Sequence, residues 1–187
     1  MGLSRWFFYM ENKKRIAIDM DDVMADATGR FKEIAEERLG VNISEEMLRG
    51  RYNWASLFPD RAEEIRGWVH EDGFFLKMKP MKDAQEVVEK LIEKYEVFIV
   101  SAAVEFPNSL KEKMLWLAEY FPFIDWKFVV LCGHKYMIKA DFLIDDHEKN
   151  LAAFVEGQAI LFDAPHNSTL EGYPRMMNWK EVEKYFL

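Results

Sequence analysis

The chain of 187 residues contains a single cysteine, Cys132, so no disulfide can form within it, and a reducing, cytoplasmic compartment is expected. It lacks any apolar run long enough to span a bilayer. Positive charge is in the minority: 25 Lys and Arg stand against 33 Asp and Glu, a formal net charge of −8. That balance argues against a nucleic-acid polymer or an anionic membrane as partner. It leaves room for a small anionic substrate where a lysine and a metal override the global field. No internal repeat and no low-complexity stretch is visible. The histidines His70, His134, His147 and His166 show no paired metal-ligand spacing, so surface or structural roles are expected for each. The opening Trp6-Phe7-Phe8-Tyr9-Met10 is too short for a signal-peptide core and lacks a small-residue cleavage site. Met1-Gly2 does not lead into N-myristoylation, because position 6 is Trp6 rather than Ser or Thr. The segment is expected to pack on the domain or extend from it.

What the chain does have is apolar material. Half its residues are hydrophobic, enough for one domain with a sizeable core and a small insertion. Short β-rich runs at 15–20, 95–100, 127–131, 141–144 and 158–162 read as strands, several nearly without alternation, as in strands covered on both faces. Helical patterns separate them. Asp83 is placed to cap a helix with Val87, Val88, Leu91 and Ile92 on one stripe. Pro107-Asn108-Ser109 opens another, with Leu110, Met114, Leu117 and Phe121 on one face. Asn178 or Trp179 starts a last helix ending near Leu187. Alternation of this kind predicts an α/β fold, a three-layer Rossmann-like parallel sheet. Residues 28–79 break the rhythm with helix after helix: Phe31, Ile34, Ala35 and Leu39 up to Gly40, then Ser44 before Glu45-Glu46, then Asp60-Arg61-Ala62-Glu63 as a capping box before Ile65, Trp68 and Val69. This reads as a small helical cap inserted after the first strand, with Gly73 and Pro80 marking the return. The expected division is a core of 1–27 and 80–187 and a cap of 28–79.

Four polar features fall at or just after strand ends, the edge where ligands bind in an open parallel sheet. They are Asp19-Met20-Asp21, Ser101, Lys135 and Asp145-Asp146. An isolated Asp-X-Asp is commonly a solvated turn. Two carboxylates after one apolar strand, with two more after another, raise each other's pKa unless a cation or a proton intervenes. Carboxylates without a histidine or cysteine pair favour a hard cation, Mg²⁺. A lysine and a hydroxyl beside it form a receptor for a phosphate. One aspartate can serve as nucleophile and a second carboxylic acid as proton shuttle. Cys132 reads as a small buried hydrophobe.

The order of these features resembles that of the haloacid dehalogenase-like (HAD) phosphatases, and among them the 5'(3')-deoxyribonucleotidases. Asp19-Met20-Asp21-Asp22-Val23-Met24-Ala25-Asp26 is similar to their opening motif. Phe74-Phe75-Leu76-Lys77-Met78-Lys79-Pro80 is similar to their strand leading out of the cap. Lys135 ahead of Leu143-Ile144-Asp145-Asp146 and the late run Phe162-Asp163-Ala164-Pro165-His166-Asn167 complete the likeness over residues 14–187. The resemblance implies Asp19 as nucleophile and metal ligand, and Asp21 as general acid/base lending its backbone carbonyl to Mg²⁺. It implies Ser101 and Lys135 on the phosphate, and Asp146 as direct metal ligand with Asp145 in support. Trp54 and Phe75 would line a nucleotide pocket. The chain departs from the family at Asp22, where glycine is usual, at Ala27 and Asn53, where aromatics are common, at Ala102-Ala103, and at His147, where arginine is common. The expected activity is a Mg²⁺-dependent phosphomonoesterase acting on nucleoside monophosphates through an aspartyl-phosphate. The alternatives are another small phosphate ester, such as a sugar phosphate, and a nucleotide-binding module without turnover. A homodimer is compatible with this reading.

Overall fold

The near-continuous apolar runs form the centre of a sheet. The structure, a computed structural model, describes residues 13–187, so the aromatic segment 6–10 lies outside the described residues. The strands are β1 (Arg15–Ile18), β2 (Glu96–Ser101), β3 (Val129–Leu131), β4 (Phe142–Asp145), β5 (Gln158–Phe162) and β6 (Arg175–Met176). All pairings are parallel, in the order β3-β2-β1-β4-β5-β6. The chain lays strands outward on one side of β1, then returns to build the other side. The reversal therefore falls at β1 between β2 and β4, where doubly wound sheets open a crevice at the carboxyl edge.

Alternation along the strands divides the core. Ile16 and Ile18 face one side with Ile99, Ile144 and Ile160, while Ala17 faces the other with Val100, Leu143 and Leu161. The first side is covered by α4 (Ala84–Lys94), α5 (Pro107–Tyr120) and α7 (Trp179–Phe186), the second by the short α6 (Glu148–Ala153) with Phe154. The three layers match the expected fold class. The helical stretch holds α1 (Ala27–Leu39), α2 (Glu45–Leu48) and α3 (Ala62–Gly67), and its Ile34, Leu48, Ile65 and Trp68 join the same core as the first side of the sheet. Gly40 closes α1 in the left-handed region at φ 64°, the conformation that favours glycine at a helix C-terminus. Asn178 caps α7 through its side chain, and Ser44 caps α2.

Several local expectations are corrected. Asp83 sits at the start of α4 with φ 65° and makes no side-chain cap, because a residue in that left-handed conformation aims its carboxylate elsewhere. The capping box at Asp60 does not form: residues Pro59–Arg61 are a 3₁₀ turn and α3 begins without a side-chain cap. Residues 74–77 are turns and 78–80 form no strand; an isolated bridge pairs Ala25 with Pro80. The buried face of α5 is not the stripe of Leu110 and Met114; it runs through Ser109, Glu112, Lys113, Trp116 and Leu117. Cys132 is half-buried.

Candidate active site

The carboxyl edge of the sheet gathers the predicted residues, and local backbone explains how. The Asp19 N–H still bonds to the Ile144 carbonyl at 2.9 Å, so Asp19 is held at the tip of β1 beside β4. The chain then turns tightly, with the Met20 carbonyl accepting from Met24 N and Ala25 N, both at 2.8 Å. Asp21 therefore lies in a turn, not on the strand pleat. Asp22 takes φ 54° at this turn, a conformation natural to glycine and tolerated by Asp. Its carboxylate compensates by accepting from Thr28 N at 2.7 Å and Thr28 Oγ1 at 2.9 Å, while Asp26 accepts from Gly29 N at 2.6 Å. Two carboxylates thus cap the first turn of α1. Two buried indoles pin the loops flanking the edge: Trp179 Nε1 donates to Val23 O and Trp116 Nε1 to Met78 O, each at 2.8 Å.

Lys135 is 3% exposed and bridges two carboxylates, with Nζ 2.5 Å from Asp19 Oδ1 and 2.7 Å from Asp145 Oδ2. Lys139, in contrast, is exposed. Met20 N also donates to Asp19 Oδ1 at 2.7 Å, so both donors take one oxygen of Asp19. Asp145 is fully buried and saturated: besides Lys135 it accepts from His147 N at 2.9 Å and from Asn150 Nδ2 at 3.0 Å. Asp146 meets His166 Nε2 at 2.9 Å, and its carbonyl accepts from Asn167 Nδ2 at 2.8 Å. Carboxylate oxygens of Asp19, Asp145 and Asp146 lie within 4.8 Å of one another, and all three residues are buried. Three converging oxygen donors fit a small hard cation such as Mg²⁺. Asp22, Asp146 and His166 form an adjoining group at the same spacing.

On the other flank, Lys113 Nζ lies 2.5 Å from Asp21 Oδ2 and 2.9 Å from Ser101 Oγ. Its neighbour Glu112 accepts from the backbone N–H groups of Gly73 (2.5 Å), Phe75 (3.0 Å) and Leu76 (3.2 Å). Phe75 is buried, with Lys113 Nζ 4.8 Å over its ring. Trp54 is half-buried and stacks on Phe31 at 5.0 Å. Tyr52 reaches from the helical stretch onto His147 (4.5 Å) and His166 (4.8 Å). A cavity of about 530 Å³ beside the turn is lined by Asp22, Thr28, Lys32, Arg49 and Asp163 among others, and touches none of Asp19, Ser101 or Lys135.

Burial sets the protonation pattern. It raises the Asp19 carboxyl above the usual range against the pull of Lys135, and raises Asp146 well above it against the bond from His166. It pushes Asp22 up to about 6, with the Thr28 bonds opposing. Burial works to lower Lys135, but the carboxylates of Asp19 and Asp145 outweigh it and hold the ammonium charged. Burial takes His147 down to about 4, while at His166 the bond to Asp146 overcomes burial and raises the pKa.

Sequence reasoning missed Lys113, Glu112, Asn150, Tyr52 and His166. His147 and His166, assigned to surface or structural roles, belong to this edge. The signal for the lysine was present: Ser109, Lys113 and Trp116 recur at helical spacing, so a charged residue stands on the buried stripe.

Comparison with known proteins agrees with this geometry. The family model described as 5' nucleotidase, deoxy (pyrimidine), cytosolic type C protein matches residues 13–187. The chain is 40% identical over 176 residues to the 5'(3')-deoxyribonucleotidase of Bacillus subtilis strain 168, covering 94% of this chain and 99% of that one. A relative from Staphylococcus aureus strain Mu50, whose name gives the same activity provisionally, is 42% identical over 175 residues, covering 94% and 96%. Among solved structures, the haloacid dehalogenase-like family hydrolase SP0104 from Streptococcus pneumoniae superimposes with a TM-score of 0.59 at 15% identity, covering 95% of this chain and 100% of that one. A HAD family hydrolase from Deinococcus radiodurans R1 gives 0.59 at 13% identity, covering 91% and 93%. Those likenesses give the HAD-like fold, and the family match with its close relatives gives the rest: this chain is a phosphoric monoester hydrolase and belongs to the deoxy (pyrimidine) 5' nucleotidase, cytosolic type C family.

Proposed function

We propose that the protein removes phosphate from deoxyribonucleoside monophosphates, with Mg²⁺ as cofactor and an aspartyl-phosphate, an acyl phosphate on Asp19, as intermediate. The observation that carries this is the arrangement around Asp19: Lys135 and Met20 N hold one carboxylate oxygen, no donor reaches the other among the described residues, and Asp145 and Asp146 converge beside it. The free oxygen is placed to attack phosphorus. Ser101 and Lys135 receive the phosphate oxygens. Mg²⁺, held by Asp19, Asp146 and the Asp21 carbonyl, would neutralise charge on the transferring group. The saturated hydrogen bonding of Asp145 supports its role in fixing Lys135, whereas Asp146, whose side chain is bonded among the described residues only by His166, is better placed as the direct ligand.

Asp21 protonates the leaving oxygen and later takes a proton from water. The nucleoside side of the pocket is assigned to Trp54 and Phe75, with residues 28–79 as the cap that carries them. The names of the family and of its Bacillus subtilis member support the deoxynucleotide substrate and a cytosolic setting. Among the described residues no helix is long and apolar enough to cross a membrane.

The test is phosphate release from a panel of ribo- and deoxyribonucleotides, sugar phosphates and aryl phosphates with Mg²⁺. Deoxyribonucleotides should lead the panel, and Asp19→Asn should lose at least about a thousandfold in kcat. A sugar phosphate turned over far better than any nucleotide would sink the substrate assignment. Undiminished turnover by Asp19→Asn would sink the covalent mechanism.

A further inference from the structure

We propose that Lys113 is the positioning residue of the proton-transferring carboxylate: by holding both Asp21 Oδ2 and Ser101 Oγ it fixes that carboxylate against the hydroxyl assigned to the phosphate. The assignment rests on the reading of Asp19 as nucleophile and Asp21 as acid/base.

Lys113 is 1% exposed in the middle of α5, a position where an ammonium is costly unless its three hydrogens are used. Its surroundings use them. Asp21 Oδ2 and Ser101 Oγ accept two hydrogen bonds, and the face of Phe75 lies under the charge. No apolar packing role calls for a lysine at this point.

Asp21 supplies the independent observation. Its Oδ1 is buried and has no hydrogen-bond partner among the described residues. A buried carboxylate oxygen without a donor is unfavourable, so the bond from Lys113 to Oδ2 is the one side-chain interaction that holds this carboxylate in place among the described residues. The Asp21 side chain is still 36% exposed, so the carboxylate is held without being closed off. Because the same ammonium holds Ser101, the acid/base stands at a fixed offset from the hydroxyl assigned to the phosphate. Glu112 extends the device by tying the same turn of α5 to the backbone of Gly73, Phe75 and Leu76.

The chemistry balances through one carboxyl group. In the first half-reaction the bond from phosphorus to the leaving oxygen breaks as the bond to Asp19 forms, and the proton on the Asp21 carboxyl passes to the leaving oxygen. In the second, the oxygen of water bonds to phosphorus, its proton passes to the Asp21 carboxylate, and the bond to Asp19 breaks to release phosphate.

Proton donation matters most when the leaving group is a poor one, and that separates positioning from mere stability. The experiment compares first-turnover rates of the full-length wild type, Lys113→Met, Lys113→Arg and Asp21→Asn with Mg²⁺. The two substrates are a deoxyribonucleoside 5'-monophosphate, whose alcohol needs a proton, and 4-nitrophenyl phosphate, whose phenolate does not. Lys113→Met should slow nucleoside release about a hundredfold or more while the nitrophenolate burst slows less than about fivefold, the same selectivity as Asp21→Asn. Lys113→Arg should recover part of the nucleotide rate. Equal slowing of both substrates, or slowing of neither, would overturn the assignment. If Lys113→Met does not fold, Lys113→Arg decides in the same way, since it keeps the charge but displaces the donors. Turnover by Asp19→Asn, or an unselective Asp21→Asn, would instead bring down the underlying mechanism, and this assignment with it.

Discussion

Replacing Glu112 with alanine removes the shared acceptor of three backbone N–H groups where the chain leaves the helical stretch: Gly73 at 2.5 Å, Phe75 at 3.0 Å and Leu76 at 3.2 Å. A hydrogen bond to a charged acceptor contributes about 1.5–3 kcal/mol. The three share one carboxylate, and Gly73 and Leu76 are only half-buried, so water recovers part of their loss. Phe75, at 3% exposure, cannot be rescued in this way. The expected cost is about 3 kcal/mol, well below the simple sum. For a chain of this length each kcal/mol moves Tm by about 2–4 °C, so the melting point should fall by about 6–12 °C. In urea the midpoint should drop with an unchanged slope, because the surface exposed on unfolding is the same. Glu112→Gln keeps one accepting oxygen and should lose about half as much. A Glu112→Ala protein within about 1 kcal/mol of wild type would refute the reasoning, since it would mean that the three N–H groups find water or other partners without strain.

Lys135→Met leaves the buried carboxylates of Asp19 and Asp145 facing each other without their cation, and should cost about 3–5 kcal/mol in chelator by urea titration. Added Mg²⁺ should return part of that loss, and a variant as stable as wild type in chelator would contradict the pairing. For the wild type, Mg²⁺ at about a hundred times its Kd should stabilise by about 2.7 kcal/mol and raise Tm by about 5–10 °C. Asp146→Asn should largely abolish that shift in thermal melts, and an undiminished shift would remove Asp146 from the ligand set. Phosphate release should stop with chelator and resume with Mg²⁺; full activity in the chelated protein would contradict the metal assignment.

How much of this was legible in the sequence depended on whether a signal was local. β1, β2, β4 and β5 stood out because strands buried on both faces read as short apolar runs, and Asp19, Ser101 and Asp145 stand at their carboxyl ends. β6 escaped because two residues, Arg175 and Met176, carry no period. The α5 face was misread because hydrophobic periodicity treats lysine and glutamate as solvated. Glu112 and Lys113 are buried because acceptors and donors 37 and 92 residues away in the chain, at Phe75 and Asp21, come to meet them. His166 was missed for the same reason, since its partner Asp146 is on the other side of β5 in the chain. The Asp22 departure becomes intelligible only with its φ of 54°: glycine suits that turn, and an aspartate is accommodated through its bonds to Thr28.

The balance of charge at the sheet edge gives an independent argument for a cation. Asp19, Asp21, Asp22, Asp145 and Asp146 supply five carboxylates, while Lys113 and Lys135 supply two ammonium groups, a formal charge of −3 with His166 neutral. Both lysines are already bound to carboxylates, so neither offers an uncompensated positive charge to an incoming phosphate. A phosphate dianion entering this edge alone would add to an existing excess of negative charge in a poorly hydrated space, where such repulsion is least screened. The raised pKa values of Asp19, Asp22 and Asp146 express that excess together with the burial that dominates it. A divalent cation between Asp19 and Asp146 would remove most of the excess before substrate arrives. It would also compete with Lys135 for the Asp19 carboxylate and free its ammonium for the phosphate. On this view the metal is needed for binding as well as for chemistry, so chelation should weaken the affinity of the wild type for inorganic phosphate, the reaction product. Phosphate bound equally well by the wild type with and without Mg²⁺ would show that the two lysines suffice.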